Sequence, residues 1–250
     1  MAFSLPYYRI QIRRHVVVWD LYVVKYGRFV LKNKGHALLL IEQNLFIPAP
    51  RPYLMYRKED RLYIAMDYIP GTSLEHVWPS LSENNKEILL GQLHSIFKGK
   101  RSLPSPAYYG SIIHGPVPHI YFHSPDDDPT VTGPFENEES FSKALALRAT
   151  QISADRGQNG WKAEILTYEI PSVLKDHPAT FTHGDSHRQN IFVRKVSDST
   201  SSIEEYQIAA IVNRETAGWN DDWPASVGEM LDRWPLEGTL FRLIHDDLEF

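Results

Sequence analysis

The residues best suited to chemistry lie in one short run, which begins at His183 and ends at Asn190. It reads His-Gly-Asp-Ser-His-Arg-Gln-Asn and lies between two apolar segments. A loop carboxylate can stand beside a hydroxyl group and take its proton, and an amide oxygen five residues later can reach a metal ion. The run therefore predicts Asp185 as the reacting acid or base and Asn190 as a metal ligand. His183 and His187 flank the carboxylate, so they are further catalytic candidates; the alternative is that both only shape the loop.

This run resembles the H-G-D-x-x-x-x-N motif of the aminoglycoside phosphotransferase and choline-kinase-like family. Residues 21–27, a β-branched and aromatic segment, resemble the strand whose lysine, here Lys25, holds the nucleotide phosphates. Residues 61–71 resemble the last strand of an N-terminal lobe and its hinge, so the resemblance places Met66 and Tyr68 in the nucleotide pocket. It covers about residues 20 to 235 and is greatest for the fungal branch of the family.

The resemblance implies an α+β, bilobal protein-kinase-like fold. A small N-terminal lobe, residues 1–70, would hold a sheet and one helix. A larger helical C-terminal lobe, residues 71–250, would contain the catalytic-loop hairpin at 180–213. The cleft between the lobes would bind a small-molecule substrate.

Apolar spacing and turn-forming residues predict the elements that must position this site. Helical periodicity predicts one helix over residues 33–44 and a second over residues 78–97, with Ser82 as the cap of the second. Residues 104–134 are predicted to be mainly loop, with an acidic tip that is either solvated or turned toward a cationic substrate. Residues 197–202 are predicted to be a polar hairpin tip.

Asn213 departs from the family's pattern at the metal site. It follows a predicted strand, and Glu215 keeps the register, so Asn213 occupies the position where the family has a metal-binding Asp. An amide is neutral, whereas Mg²⁺ prefers carboxylate oxygens, so metal binding by Asn190 and Asn213 is expected to be weak or lost. Arg214 replaces the family's usual Trp and adds a positive charge beside the metal position.

A second departure concerns the glutamate with which the family pairs the strand lysine. That helix position aligns with His36, so Lys25 is predicted to lack its carboxylate partner. Glu42 lies six residues farther along, about 240° around the helix, and would point elsewhere. Residues 13–18 contain no glycine, so no flexible phosphate-covering loop is visible there.

Composition excludes several classes of function. The net charge is -5 and no basic stripe is present, which argues against a nucleic-acid partner. Because the chain has no cysteine, disulfides, thiolate catalysis and cysteine-based zinc sites are excluded. No apolar stretch is long enough to span a membrane, and the start lacks an apolar signal core, so a cytoplasmic protein without a membrane partner is expected.

Three hypotheses for function follow. The chain could be an ATP-independent enzyme of cyclase, isomerase or dehydratase type in fungal secondary metabolism, with Asp185 working in the old kinase cleft. It could instead be a working small-molecule phosphotransferase, in which case ATP and Mg²⁺ are its cofactors; otherwise no cofactor is implied. It could also be a noncatalytic, pseudokinase-like binding protein.

Overall fold

The computed structural model describes residues 15–119, 122–155, 168, 178–196 and 205–220. In these residues the N-terminal part is a four-stranded antiparallel sheet of order β1-β2-β4-β3. Its strands are β1 (His15–Val18), β2 (Tyr22–Gly27), β3 (Pro52–Lys58) and β4 (Arg61–Asp67). Helix α1 (Lys32–Asn44) lies between β2 and β3 in the chain, which confirms the helix predicted over residues 33–44.

The inner face of this sheet packs on α1. Strand β4 alternates strictly, with Leu62, Ile64 and Met66 buried and the residues between them more exposed. These three side chains share a core with Leu38 of α1. Because side chains in a strand alternate, Lys25 of β2 lies on the same inner face as its neighbour Val23, next to the helix.

The second predicted helix begins later than the sequence suggested. Residues from Leu74 to Ser80 form a single α-helical turn, α2 (Leu74–Val77), and a 3-10 turn. The long helix α3 (Glu83–Arg101) starts only after Ser82, whose hydroxyl accepts a hydrogen bond from the Asn85 N–H at 3.3 Å. The predicted cap at Ser82 is confirmed, whereas the predicted start at residue 78 is wrong, because the helix begins directly after its cap.

Two small sheets hold the two loops that contain the candidate site residues, residues 183–190 and residues 212–217. One has the order β5-β8-β9 and the other β6-β10-β7. Their strands are β5 (Thr72–Ser73), β6 (Gly110–Ser111), β7 (Thr180–Thr182), β8 (Ile191–Val196), β9 (Glu205–Ile211) and β10 (Gly218–Asn220). Helix α3 shares a core of buried leucine and isoleucine side chains with β8 and β9. The strand that follows residues 183–190 and the strand that precedes residues 212–217 are therefore fixed to one core.

The described residues of segment 104–134 (104–119 and 122–134) are mainly loops and turns, as predicted, with the strand β6 and the short helix α4 (Pro129–Thr132). Within the acidic tip, Asp128 caps α4 by accepting hydrogen bonds from the N–H and hydroxyl of Thr130. These bonds lower the pKa of the Asp128 carboxyl. Helix α5 (Glu138–Asp155) follows. The hairpin tip predicted at 197–202 lies outside the described residues, as do positions 13 and 14.

A third group of buried side chains joins α1 to the C-terminal part. Ala37 and Ile41 of α1 share a core with Phe141, Phe181 and Trp219. The helix is therefore packed on one side against the N-terminal sheet and on the other against the strands that carry the candidate loops. Within the described ranges, no helix has the length and apolar character needed to cross a membrane.

Candidate functional site

His183 follows β7 directly and connects the two candidate loops. Its Nε2–H donates to the Val212 carbonyl at 2.9 Å, and its Nδ1 accepts from the Asp185 N–H at 3.3 Å. The ring is 1% exposed, and burial, followed by the charge of Arg214, holds the pKa of His183 well below its usual value. A neutral imidazole with both nitrogens engaged positions the loop around Asp185.

Gly184 is required by the contact between these loops. Its φ is +72°, and a Cβ at this position would lie 2.3 Å from the Thr216 carbonyl oxygen. Only glycine combines this backbone conformation with so close an approach. Thr216 also donates from its hydroxyl to the His183 carbonyl at 3.3 Å, so residues 183–185 and 213–217 form one packed unit.

The Asp185 carboxylate is held by two amides. Asn190 donates from Nδ2 to Oδ2 of Asp185 at 2.8 Å and to its carbonyl oxygen at 2.9 Å. Asn213 donates from Nδ2 to the same Oδ2 at 3.3 Å. His187 caps the 3-10 turn Arg188–Asn190 by accepting from the Gln189 N–H, which fixes the position of Asn190. The structure thus brings together Asp185 and the two predicted metal ligands, Asn190 and Asn213.

Lys25 reaches this group from the sheet. Its Nζ lies 3.4 Å from Asn213 Oδ1 and forms an ion pair with the Glu215 carboxylate. Lys25 therefore has a carboxylate partner, although it is not the helix glutamate of the family's pattern. The partner comes from the loop after β9, and the sequence pattern had used Glu215 only to establish the register around Asn213.

Lys34 lies on the first turn of α1 and interacts electrostatically with Lys25. The alignment of the family's helix glutamate with His36 remains a prediction. Asn33 donates from Nδ2 to the carbonyls of Glu215 at 3.1 Å and Ala217 at 2.6 Å, which turns the first turn of α1 toward this loop. Lys34 is 5% exposed. Burial, followed by the charges of Lys25 and Arg214, lowers the pKa of Lys34 well below its usual value.

Arg214 is fully buried, with 0% exposure. None of its three guanidinium nitrogens has a hydrogen-bond partner among the residues that the structure describes. Burial lowers the pKa of Arg214 to about 9, which leaves the group charged at pH 7. A buried charge without hydrogen bonds is costly, so Arg214 is expected to lower the stability of the fold relative to an apolar side chain at this position.

Met66 and Tyr68, the two residues predicted in the nucleotide pocket, make contacts within the N-terminal part of the protein. Met66 contributes its side chain to the N-terminal core. Tyr68 is partly buried, and its N–H donates to the Leu21 carbonyl at 2.9 Å, so this donor is used within the sheet. The Asp67 N–H likewise donates to the Arg51 carbonyl at 3.0 Å.

The predicted metal ligands Asn190 and Asn213 do not fit a magnesium ion well. Asn190 and Asn213 both direct their amide N–H groups at Asp185, and the Asn213 oxygen faces the Lys25 ammonium. A divalent cation at that oxygen would stand beside a like charge, whereas Mg²⁺ requires a near-octahedral oxygen shell. Across the described part of the chain, no group of three or more His, Asp or Glu side chains could hold a metal ion.

Comparison with known proteins supports the fold. The structure resembles a crystal structure of aminoglycoside-3'-phosphotransferase of type VIII with a TM-score of 0.53 and 15% identity, over 92% of this chain and 79% of that chain. It also resembles the streptomycin-ATP-APH(2")-IIa ternary complex, with a TM-score of 0.47 and 14% identity, over 88% of this chain and 74% of that one. No match was found among the curated proteins. The predicted kinase-like α+β fold is confirmed.

The family is established by sequence. The family model described as "Phosphotransferase enzyme family" (APH) matches residues 23–200, which is more than half of the chain. The matched range includes Lys25, α1 and the whole run from His183 to Asn190. The chain therefore belongs to the phosphotransferase enzyme family.

Proposed function

We propose that this chain is a phosphotransferase-family protein repurposed as an ATP-independent enzyme, with Asp185 as the general acid or base for a small-molecule substrate. The observation that carries the proposal is the hydrogen-bonded bridge at Asn213. Its amide donates to Asp185 and accepts from Lys25 at the position where the family has a metal-binding Asp. Protein side chains thereby satisfy one another where a nucleotide-bound metal would otherwise be held.

Each site residue then has a role. Asp185 transfers the proton, and Asn190 and Asn213 orient its carboxylate in place of binding metal. His183 is a positioning residue, because its ring nitrogens are engaged within the loop. We place His187 at the rim as a second proton carrier or loop support.

Lys25, Met66 and Tyr68 are assigned to a vestigial nucleotide pocket. We place the boundary between the lobes near residue 70. Reactions that move protons on one carbon skeleton, such as cyclisation, isomerisation or dehydration, suit a carboxylate held in one orientation. The similarity of segment 21–27 and of the H-G-D-x-H form to the fungal branch supports a place in fungal secondary metabolism.

A working O-phosphotransferase is the second candidate, and one observation favours it. Lys25 retains a carboxylate partner in Glu215, so a lysine of the kind that holds phosphates is still ion-paired at the cleft. Such an enzyme would require ATP and a metal ion, and the Asn213 bridge would have to open to admit the metal.

Calorimetry with ATP separates these two functions. Titration of ATP in the presence of Mg²⁺, and again in EDTA, should give weak binding that Mg²⁺ does not strengthen. Asn213→Gln provides a control that keeps an amide but displaces it from the bridge. Micromolar binding that depends on Mg²⁺, together with transfer of the terminal phosphate to any hydroxyl acceptor, would establish the phosphotransferase instead.

A further inference from the structure

The side chain of Asn33 joins three segments that are far apart in the sequence. Its Nδ2 group donates to the carbonyl oxygens of Glu215 and Ala217, at 3.1 and 2.6 Å. Its Oδ1 accepts from the Ile112 N–H at 2.9 Å. The residue is 5% exposed, so water competes little for these three hydrogen bonds. The first turn of α1 is therefore bonded both to the loop of residues 213–217 and to the segment after β6.

The Asn33 amide takes the place of a backbone contact at the end of a sheet. Strand β10 pairs with β6 in a register that places Gly218 opposite Ser111. The next pair in this antiparallel register would be Ala217 with Ile112, and the Asn33 side chain bridges the carbonyl of one and the N–H of the other. A primary amide has the donor and the acceptor of a peptide group, so Asn33 continues the ladder from the side of the helix.

The same amide holds the residue that pairs with Lys25. Asn33 bonds to the backbone carbonyl of Glu215, and the Glu215 side chain forms the ion pair with the Lys25 ammonium. The Lys25 Nζ lies 3.4 Å from Asn213 Oδ1, and Asn213 in turn donates to the Asp185 carboxylate. A chain of contacts therefore runs from the start of α1, through the ion pair, to the candidate acid or base.

We propose that Asn33 is a positioning residue, which holds Glu215 where its carboxylate meets Lys25 and thereby sets the place of Lys25 beside Asn213. Helix α1 acts on the strand lysine through the backbone of a residue 182 positions later in the chain. This role rests on the proposed function in its last step, the orientation of Asp185 by Asn213. A contribution of Asn33 to stability alone would leave the Lys25 ion pair unchanged in a folded variant.

The exchange of the Lys25 Nζ hydrogens with water tests this role, because these hydrogens are protected while the ammonium is held in an ion pair. Nitrogen-15 NMR of the full chain measures the exchange rate, and the Lys86 ammonium, which pairs with Glu83 at 2.9 Å, is the internal reference. Asn33→Ala should raise the Lys25 rate by about tenfold, the effect of losing one contact to a charged group. Asn44→Ala, at the exposed end of the same helix, is the control and should leave the rate unchanged.

A double variant separates positioning from a general loss of structure. Glu215→Gln removes the charged partner directly and should raise the Lys25 rate at least as much as Asn33→Ala does. If Asn33 acts through Glu215, the double variant Asn33→Ala, Glu215→Gln should match Glu215→Gln alone. Effects that multiply, or a wild-type rate in folded Asn33→Ala, would overturn the proposal. Thermal unfolding shows whether each variant is folded; if Asn33→Ala is not, the milder Asn33→Ser, which keeps one hydroxyl donor, replaces it under the same criteria.

Failure of this role and failure of the proposed function give different results. Mg²⁺-dependent ATP binding with phosphate transfer would end the proposed function and leave the role of Asn33 intact, because the Lys25 ion pair belongs to either enzyme. Turnover without ATP that is lost in Asp185→Asn, together with a Lys25 exchange rate that Asn33→Ala does not change, would retain the proposed function and end only the role of Asn33.

Discussion

The two loops of the cleft differ in the side chains that they place around Asp185. The first, residues 183–190, keeps every residue of its motif, and its glycine, histidines and asparagine all support Asp185. The second, residues 213–217, packs tightly on the first, carries the neutral amide of Asn213 and contains the buried Arg214. In the function proposed above, the first loop positions a carboxylate, whereas the second supports that carboxylate and holds no metal ion.

Removal of the Asp185 charge is expected to have the largest effect. Asp185→Asn is close to isosteric, so the fold should persist and the thermal midpoint should move little. Loss of a positioned acid or base lowers turnover by ~10²–10⁴-fold. Turnover of the native substrate is measured for variant and wild type, with and without ATP. Unchanged turnover by the folded variant would mean that the first loop is retained only as scaffold.

Arg214→Trp tests the second loop and should stabilise the protein. Arg214 is fully buried without hydrogen bonds among the described residues, and exchange of buried charge for a well-packed apolar group can stabilise a protein by ~1–4 kcal/mol. The free energy of unfolding in urea provides the measurement. Arg188→Trp, at a partly exposed position of the first loop, is the control and should not stabilise. A loss of stability in Arg214→Trp would show that Arg214 has a structural partner.

Asn213→Asp restores the family's residue and sharpens the contrast between the loops. An added carboxylate beside the metal position should raise Mg²⁺-dependent ATP binding by about tenfold, a modest gain because the adjacent Arg214 still opposes the cation. The double variant Asn213→Asp, Arg214→Trp should raise it further. Calorimetry measures the affinity of each variant for ATP with and without Mg²⁺. If Mg²⁺ changes the affinity of neither variant, the nucleotide pocket itself has been lost.

The smallest predicted effect is the pH dependence of stability due to His183. Because the folded-state pKa of His183 is depressed by burial, the unfolded chain takes up a proton that the folded chain does not. Stability should therefore be fully present above pH ~6.5 and fall below it, by at most ~1.4 kcal/mol per pH unit. Chemical unfolding at several pH values measures the slope. His183→Asn should flatten it, whereas the partly exposed His187→Asn should not.

The sequence predicted the first loop and the helix α1 well because both depend on local patterns. The spacing within 183–190 and the apolar period of 33–44 are properties of adjacent residues. Lys34 and the ion pair of Lys25 with Glu215 were missed because they depend on how α1 packs against a loop about 180 residues later in the chain. Asn33, whose side chain decides that packing, looked like an ordinary helix-start residue. The division of the chain at residue 70 and the roles of the site residues remain predictions.

The side chain of Asn33 also determines which parts of the molecule can move together. Its amide binds the carbonyls of Glu215 and Ala217, and its oxygen accepts from the Ile112 N–H at 2.9 Å, so the start of α1 is attached to the C-terminal part. Helix α1 is therefore tied to the C-terminal part, whereas Lys25 is carried by the sheet. Any shift of the sheet relative to α1 would stretch the contacts of Lys25 with Asn213 and Glu215, so this lysine couples the position of the sheet to the second loop.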